Sequence, residues 1–260
     1  MLKVKGAASL VNLPPPESEQ SAALEIACLR AELSQAKKDL NEFIYLASHD
    51  LKAPLNAIDN LANWLVEDIG SEIGEESLHL LSMIKSRAER AKLLVSDLLL
   101  YSRIGNEAEE YEFINFHQTV MLCAAQADVS QFELVIDGCD PTLPKLSFIS
   151  VLMQLISNAV KHHGTDSGKI SITCKQLTHA YHIEVSDDGP GIHQDDQEKV
   201  FNKFQTLKSR DEVEGSGMGL ALVVKTLSLY AAKITLVSDG KSGSMFVIEW
   251  PFEPIQRKTV

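Results

Sequence analysis

A stripe of apolar and small side chains runs through Ile26, Leu29, Leu33, Ala36, Leu40 and Phe43 in alternating steps of three and four. That alternation is the seam of a coiled coil, and it commits this part of the chain to one long helix starting near residue 22. The stripe then takes two steps of four, through Ala47 to Leu51, and resumes at Pro54, Ile58, Leu61 and Leu65. The eleven-residue interval from Leu40 to Leu51 locally unwinds a left-handed supercoil, and His49 falls inside it. Gly70 and Gly74 bracket a break, after which Leu78, Leu81, Ile84, Ala88, Ala91, Val95 and Leu98 mark a second helix ending near Gly105. Two long amphipathic helices with a short connection form an antiparallel hairpin. A lone hairpin has too little to cover its stripe, so the pattern predicts a homodimer closing a four-helix bundle.

Past the acidic stretch 106–112 the period changes. β-branched and aromatic residues predict strands at Phe132–Asp137, Lys169–Leu177, Tyr181–Ser186, Lys233–Ser238 and Ser244–Trp250, with helices at about 116–127, 146–163 and 217–230. The second and third strands read as a hairpin, as do the last two, joined around Asp239-Gly240. The fold class is therefore α+β: a helical hairpin, then helices packed on one face of a mixed sheet. We expect a disordered lead over 1–20, where Pro14, Pro15 and Pro16 forbid a continuous helix. A coiled-coil linker and dimerisation hairpin should follow over 21–110, and an α/β sandwich domain over 111–260.

A net charge of −12 leaves no basic face for a nucleic-acid duplex, and it opposes binding to anionic membranes. No stretch reaches the roughly 20 apolar residues of a membrane span, and the first residues carry no signal-peptide core. The expectation is a cytoplasmic chain. The four cysteines (Cys28, Cys123, Cys139 and Cys174) are widely spaced and read as reduced, partly buried thiols rather than a metal or disulfide framework.

Four segments carry chemistry. In FIYLASHDLKAPLNAI (43–58), His49 is mid-helix beside Asp50. A neutral imidazole is a nucleophile near neutral pH, and an adjacent carboxylate can orient it or take its proton. Pro54 cannot donate to the Asp50 carbonyl, so the helix should loosen there. The bland alternative is a surface histidine near a kink. In QLISNAVKHH (154–163), Asn158 offers an amide oxygen suited to Mg²⁺, and Lys161 lies one turn on, within reach of phosphates. The alternative is the polar side of an ordinary helix. His162 and His163 are adjacent, face different ways, and do not make a metal pair. In SDDGPGI (186–192), Asp187 is placed to accept from an exocyclic amine such as that of adenine, while Gly189 and Gly191 let the backbone turn close to a ring; a plain Asp-Gly turn is the alternative. In GSGMGLALVV (215–224), Gly215, Gly217 and Gly219 open a helix whose N-terminal amides suit phosphate. The spacing is neither Walker A nor the dinucleotide fingerprint. Between them, Phe201 and Phe204 sit amid charges, as in a mobile lid docked by its aromatics.

In this order and spacing the segments resemble the boxes of the sensor histidine kinases over roughly residues 40–250. His49 lies in what resembles the H-box, Asn158 and Lys161 in the N-box, and Asp187 to Ile192 in the first glycine box. Phe201 to Phe204 resembles the F-box, and Gly215 to Gly219 the second glycine box. The resemblance implies a Bergerat-type ATP-binding domain, ATP and Mg²⁺ as cofactors, and a dimeric bundle presenting His49 to the γ-phosphoryl group. It implies Asn158 as the metal ligand, Asp187 at adenine, and Asp50 as the acidic residue assisting transfer. It further implies ATP contacts at Lys161, Gly189, Gly191, Ile192, Phe204, Lys208, Gly215, Gly217, Gly219 and Leu220. The partner it implies is the receiver domain of a response regulator, with a hinge near 105–115.

Three positions depart from the pattern. Gln154 replaces the usual first Asn of the N-box. Thr206 stands where many members have Arg, leaving Lys208 or Arg210 to supply the charge. Ala53 occupies the place where members that dephosphorylate their partner carry Thr or Asn, which predicts weak phosphatase activity. The competing readings are a degenerate ATP-binding scaffold, an ATPase of the gyrase or chaperone type, and a serine kinase of the anti-sigma type, which would need no His49 bundle.

Overall fold

The computed structural model describes residues 17–70, 72–106, 109–206 and 215–252. The chain divides into two compact units, Met1–Tyr45 and Leu46–Val260. Helix α1 covers Glu17–Ile69 and helix α2 covers Glu75–Arg103. The first begins before the expected residue 22, so residues 17–20 are helical rather than part of a disordered lead. The three prolines lie outside the described residues. Pro54 sits inside α1 without interrupting it, so the expected loosening does not amount to a break.

In the first unit the seam residues Ile26, Leu29, Leu33 and Phe43 are exposed. In the second, α1 and α2 pair through buried Ala62 and Ala88 and through Lys92 Nζ, which donates to Asp59 Oδ2 at 2.7 Å. An apolar groove lined by Leu55, Ile58, Leu80, Met83 and Ile84 remains open on the hairpin.

The remaining elements are β1 (Tyr111–Phe113), α3 (Phe116–Gln126), β2 (Phe132–Gly138), β3 (Thr142–Pro144), α4 (Lys145–His162), β4 (Gly168–Gln176), β5 (Ala180–Asp187), α5 (Gly219–Leu229), β6 (Lys233–Ser238) and β7 (Ser244–Pro251). The main sheet has the order β2-β4-β5-β7-β6, with β2 parallel to β4 and every other pair antiparallel. Alternate residues of its central strands point to one face: Ile170, Ile172, Ile183, Val185, Ile248 and Trp250 are buried there. Phe148, Leu152, Leu155 and Ile156 of α4 close that core with Val223 and Leu227 of α5. The other face carries polar residues such as Thr173, His182 and Glu184, giving the one-sided layering the alternation predicts.

The short β1–β3 pair was not foreseen, because three-residue strands, one ending in Pro144, carry too little alternation to register. Cys123 and Cys174 are buried as expected, and burial pushes the Cys123 thiol up to about 11, which keeps it inert. Cys28 is exposed, correcting the reading of it as partly buried, and Cys139 and Cys174, distant in sequence, bring their sulfurs to 3.9 Å. Among the described residues no helix is long and apolar enough to cross a membrane.

The start of α4 has no side-chain cap of its own. Glu109, from the segment after α2, supplies one: its carboxylate accepts from Ser147 N at 3.0 Å and Ser147 Oγ at 2.7 Å, while that hydroxyl also meets Tyr230 Oη at 3.0 Å. Glu109→Ala should therefore lower stability by about 1–2 kcal/mol in denaturant titration. An unchanged unfolding midpoint would show that water replaces the cap at no cost.

Candidate functional site

The site is assembled on α4 because that helix buries one face completely and keeps a polar edge. Leu155 and Ile156 are sealed against the sheet, whereas Gln154 and Asn158 are only half-buried and Lys161 is exposed. The glycine run before α5 lies against that edge. A methyl group at Gly219 would come within 2.7 Å of Gln154 Oε1 and 3.7 Å of Asn158 Oδ1. Gly217 has φ +72° and approaches the backbone of Phe204 and Gln205 so closely that a Cβ would meet it at 2.8 Å. Phe204 itself is left-handed at φ +62° and 52 % exposed. A left-handed aromatic residue is strained, and such strain gathers at ligand sites. Phe201 packs edge-on against Phe246 with centroids 6.3 Å apart, so one of the two aromatics docks the segment and Phe204 does not.

On the other side of α4, β5 delivers Asp187 to its end. Asp187 accepts from Gly189 N at 3.0 Å and also from the Ser244 amide, yet burial outweighs these bonds and raises its carboxyl above the ordinary range. Its neighbour Asp188 moves the opposite way. Oδ1 accepts from Lys169 N at 2.7 Å and from His163 Nε2 at 2.8 Å, and the Lys169 amide first, then His163, holds this carboxyl low. The turn after it is held by a serine that no sequence motif marks. Ser238 Oγ accepts from Ile192 N at 2.9 Å and donates to the Gly243 carbonyl at 2.7 Å, while Gln197 Nε2 bridges the carbonyls of Ile192 and Ser238. These partners are some forty residues apart, so no local pattern could announce them.

Asn158, Gly219 and Gly217 thus converge with Phe204 on one side of α4, and Asp187, Gly189, Gly191 and Ile192 at the β5 exit on another. Gly215 and Leu220 flank the same glycine run. Lys208 and Arg210 lie outside the described residues. His49 and Asp50 stand apart on α1; among the described residues no hydrogen bond or ion pair joins them to this cluster. Their side chains are 76 % and 84 % exposed, and His49 Nδ1 meets Asp50 Oδ1 at 3.2 Å. The carboxylate therefore favours a proton on Nδ1, which leaves the lone pair of the neutral ring on Nε2. A further contact links α2 to the glycine run: Ser216 Oγ donates to Asp97 Oδ2 and accepts from Met218 N at 3.0 Å. Close by, Lys225 Nζ donates to the Tyr101 carbonyl and lies 3.9 Å from the centre of the Tyr101 ring.

Two family models match the chain. The His Kinase A (phospho-acceptor) domain matches residues 39–107, and the histidine kinase-, DNA gyrase B-, and HSP90-like ATPase matches residues 145–254. The phytochrome-like protein Cph1 of Synechocystis is 28 % identical over 248 residues, which are 94 % of this chain and 32 % of that protein. The signal transduction histidine-protein kinase AfsQ2 of Streptomyces coelicolor is 26 % identical over 267 residues, covering 97 % of this chain and 49 % of its own. The chain thus spans about a third to a half of the length of these curated relatives. The crystal structure of full-length ShkA in complex with AMPPNP shares the fold, with a TM-score of 0.59 at 20 % identity over 82 % of this chain and 46 % of that one.

Gly217→Ala should displace the Phe204–Gln205 backbone, adding a left-handed alanine to a contact with no room for a methyl, at a cost of about 1–3 kcal/mol. The measurement is amide hydrogen exchange, faster around Gln205 than in the wild type, together with a lower melting temperature. Equal exchange at that segment would mean the loop absorbs the methyl elsewhere.

Proposed function

We infer what this chain does from what it is: it belongs to the sensor histidine kinases, carrying their phosphoacceptor domain followed by their ATP-binding domain. The reading is that His49 takes the γ-phosphoryl group of ATP and passes it to an aspartate of a response-regulator receiver domain. The observation that carries it is the His49 ring, solvent-exposed with Nδ1 turned to Asp50. In the transfer, Nε2 attacks the γ-phosphorus, the N–P bond forms, and the bond to the ADP oxygen breaks. The ring becomes cationic, and Asp50 stabilises it or accepts the Nδ1 proton.

The ATP-binding residues divide by chemistry. Asp187 accepts from the adenine amine, Gly189, Gly191 and Ile192 form the turn around the base, and the amides of 215–220 face the phosphates. Lys161, Phe204 and Lys208 complete the binding set. Among the described residues no three metal-ligating side chains cluster. An ion here would draw on amide, phosphate and water oxygens, which suits Mg²⁺ held by Asn158 and fits the two amide oxygens beside Gly219. Such an ion neutralises phosphate charge during transfer. Because the described contacts leave His49 apart from the nucleotide residues, the two domains (21–110 and 111–260) must move together, with the hinge at 105–115. The exposed α1 stripe and the open apolar groove of the hairpin are covered by a second copy in a homodimer. Ala53 offers a methyl where a water-positioning hydroxyl or amide would be needed, so regulator dephosphorylation is slow.

Incubation with Mg²⁺ and γ-labelled ATP should give an acid-labile, alkali-stable label that His49→Gln abolishes while nucleotide binding persists. Hydrolysis without trapped label would favour a conformational ATPase, and binding with neither would favour a scaffold. Nucleotide affinity should fall on acidification earlier than an ordinary carboxylate would dictate. Burial raises the Asp187 carboxyl, and its protonated form no longer accepts as strongly from the amine. Asp187→Asn should weaken binding at neutral pH and remove that acidic limb; an unchanged limb would place the titrating group elsewhere.

A further inference from the structure

We propose that His163 is a positioning residue of the nucleotide site, holding the Asp187 carboxylate in place through its bond to Asp188. The inference rests on the reading of Asp187 as the acceptor of the adenine amine.

A carboxylate that selects a base must keep one orientation before the ligand arrives, and among the described residues Asp187 has two amide donors, Gly189 and Ser244, to fix it. The chain leaving β5 is instead anchored one residue later. Asp188 Oδ1 takes both the Lys169 amide and His163 Nε2, and Asp188 N donates back to the Lys169 carbonyl at 3.3 Å. His163 comes from the end of α4, the helix that bears Asn158. One ring therefore ties the base side of the site to its phosphate side.

The ring is built in rather than adventitious. Its side chain is 5 % exposed, Phe132 meets it edge-on with centroids 5.0 Å apart, and Nδ1 lies 2.7 Å from Thr165 Oγ1, whose hydroxyl donates on to the Ser167 carbonyl. Gly168 leaves the space it needs: a Cβ there would sit 2.2 Å from Nε2 and 2.7 Å from Asp188 Oδ1. The proximity to Asp187 is direct as well. A Cβ on Gly189 would lie 2.9 Å from Asp187 Oδ1 and 3.2 Å from the His163 carbonyl, so the histidine main chain and the base-reading carboxylate flank the same glycine. Losing the ring frees Asp188, and with it the two peptide units that aim Asp187.

The test compares ATP with purine riboside triphosphate, which lacks the 6-amino group, in competition against a fluorescent nucleotide on the full chain. The wild type should prefer ATP. His163→Ala should lower ATP affinity by about tenfold, the worth of one charge-assisted hydrogen bond, with little change for the analogue, so the preference collapses. His163→Gln, which keeps an N–H donor, should recover most of it. Asp188→Ala, removing the exposed acceptor, should show the same loss and serves if His163→Ala does not fold. A merely structural histidine would weaken both nucleotides equally, and an intact preference in His163→Ala or Asp188→Ala overturns the proposal while leaving the kinase reading standing. A wild type that binds ATP without preferring it defeats the Asp187 assignment itself, and the proposal with it.

Discussion

The seating of α4 on the sheet is the constraint from which the rest of the nucleotide domain follows. Its inward residues, Phe148, Val151, Leu152, Leu155 and Ile156, are almost wholly buried, each worth roughly 1.5–3 kcal/mol of transfer free energy. That burial leaves the helix no freedom to rotate. Gln154, Asn158 and Lys161 are therefore held along one edge, and the helix end delivers His163 to the β5 exit. Both ends of α4 are secured by residues distant in sequence: Glu109 caps its first turn, and Asp188 receives the histidine that follows its last. A helix with one capped end would still place Asn158, but it would not tie that residue to the strand exit.

Much of this was legible before any coordinates because it follows from period. The change from steps of three and four to alternation located the boundary between hairpin and sheet, and five strands and three helices fall where the pattern put them, within a few residues. The glycine runs were legible for a different reason. Gly217 and Gly219 face backbone and side chains at distances no Cβ tolerates, so the residue type itself encodes the approach. What stayed hidden was non-local. Ser238 and Gln197 organise the Ile192 turn across some forty residues, and Glu109 reaches Ser147 across 38. Nothing in the local sequence around His163 points to Asp188, the acceptor its ring finds 25 residues on.

The phosphoacceptor side obeys the opposite rule. Where the nucleotide residues are fixed by burial, His49 and Asp50 are fixed by almost nothing except their helix and each other. On the proposed reading, the nucleophile meets two partners in turn, a nucleotide and then another protein; a side chain exposed on a helix face stays in solvent on a stiff support and suits that task. Ser48, immediately before, is buried at 2 % exposure, so the helix is oriented by that neighbour while the imidazole points outward. The contact of Asp97 and Tyr101 with the Ser216 and Lys225 region shows α2 engaging the glycine run through a few polar and cation–π contacts rather than an apolar seam. Contacts of that kind are exchanged for water at little net cost, which suits the domain movement proposed for transfer.

The two adjacent aspartates express the division of labour most economically. Strand geometry sends consecutive side chains to opposite sides, so Asp187 and Asp188 enter different environments although their sequence context is the same. Burial raises one carboxyl; the Lys169 amide and the His163 ring lower the other. When neighbouring carboxyls are driven apart in this way, their roles separate with them. Asp188 commits one oxygen, Oδ1, to two donors of the protein and serves as an anchor. Asp187 is held half-buried with acceptor capacity left over, an arrangement that costs desolvation energy and that a donated hydrogen bond would offset. On the proposed reading the amine of a purine is that donor, and fixing the residue next door keeps the acceptor aimed at it.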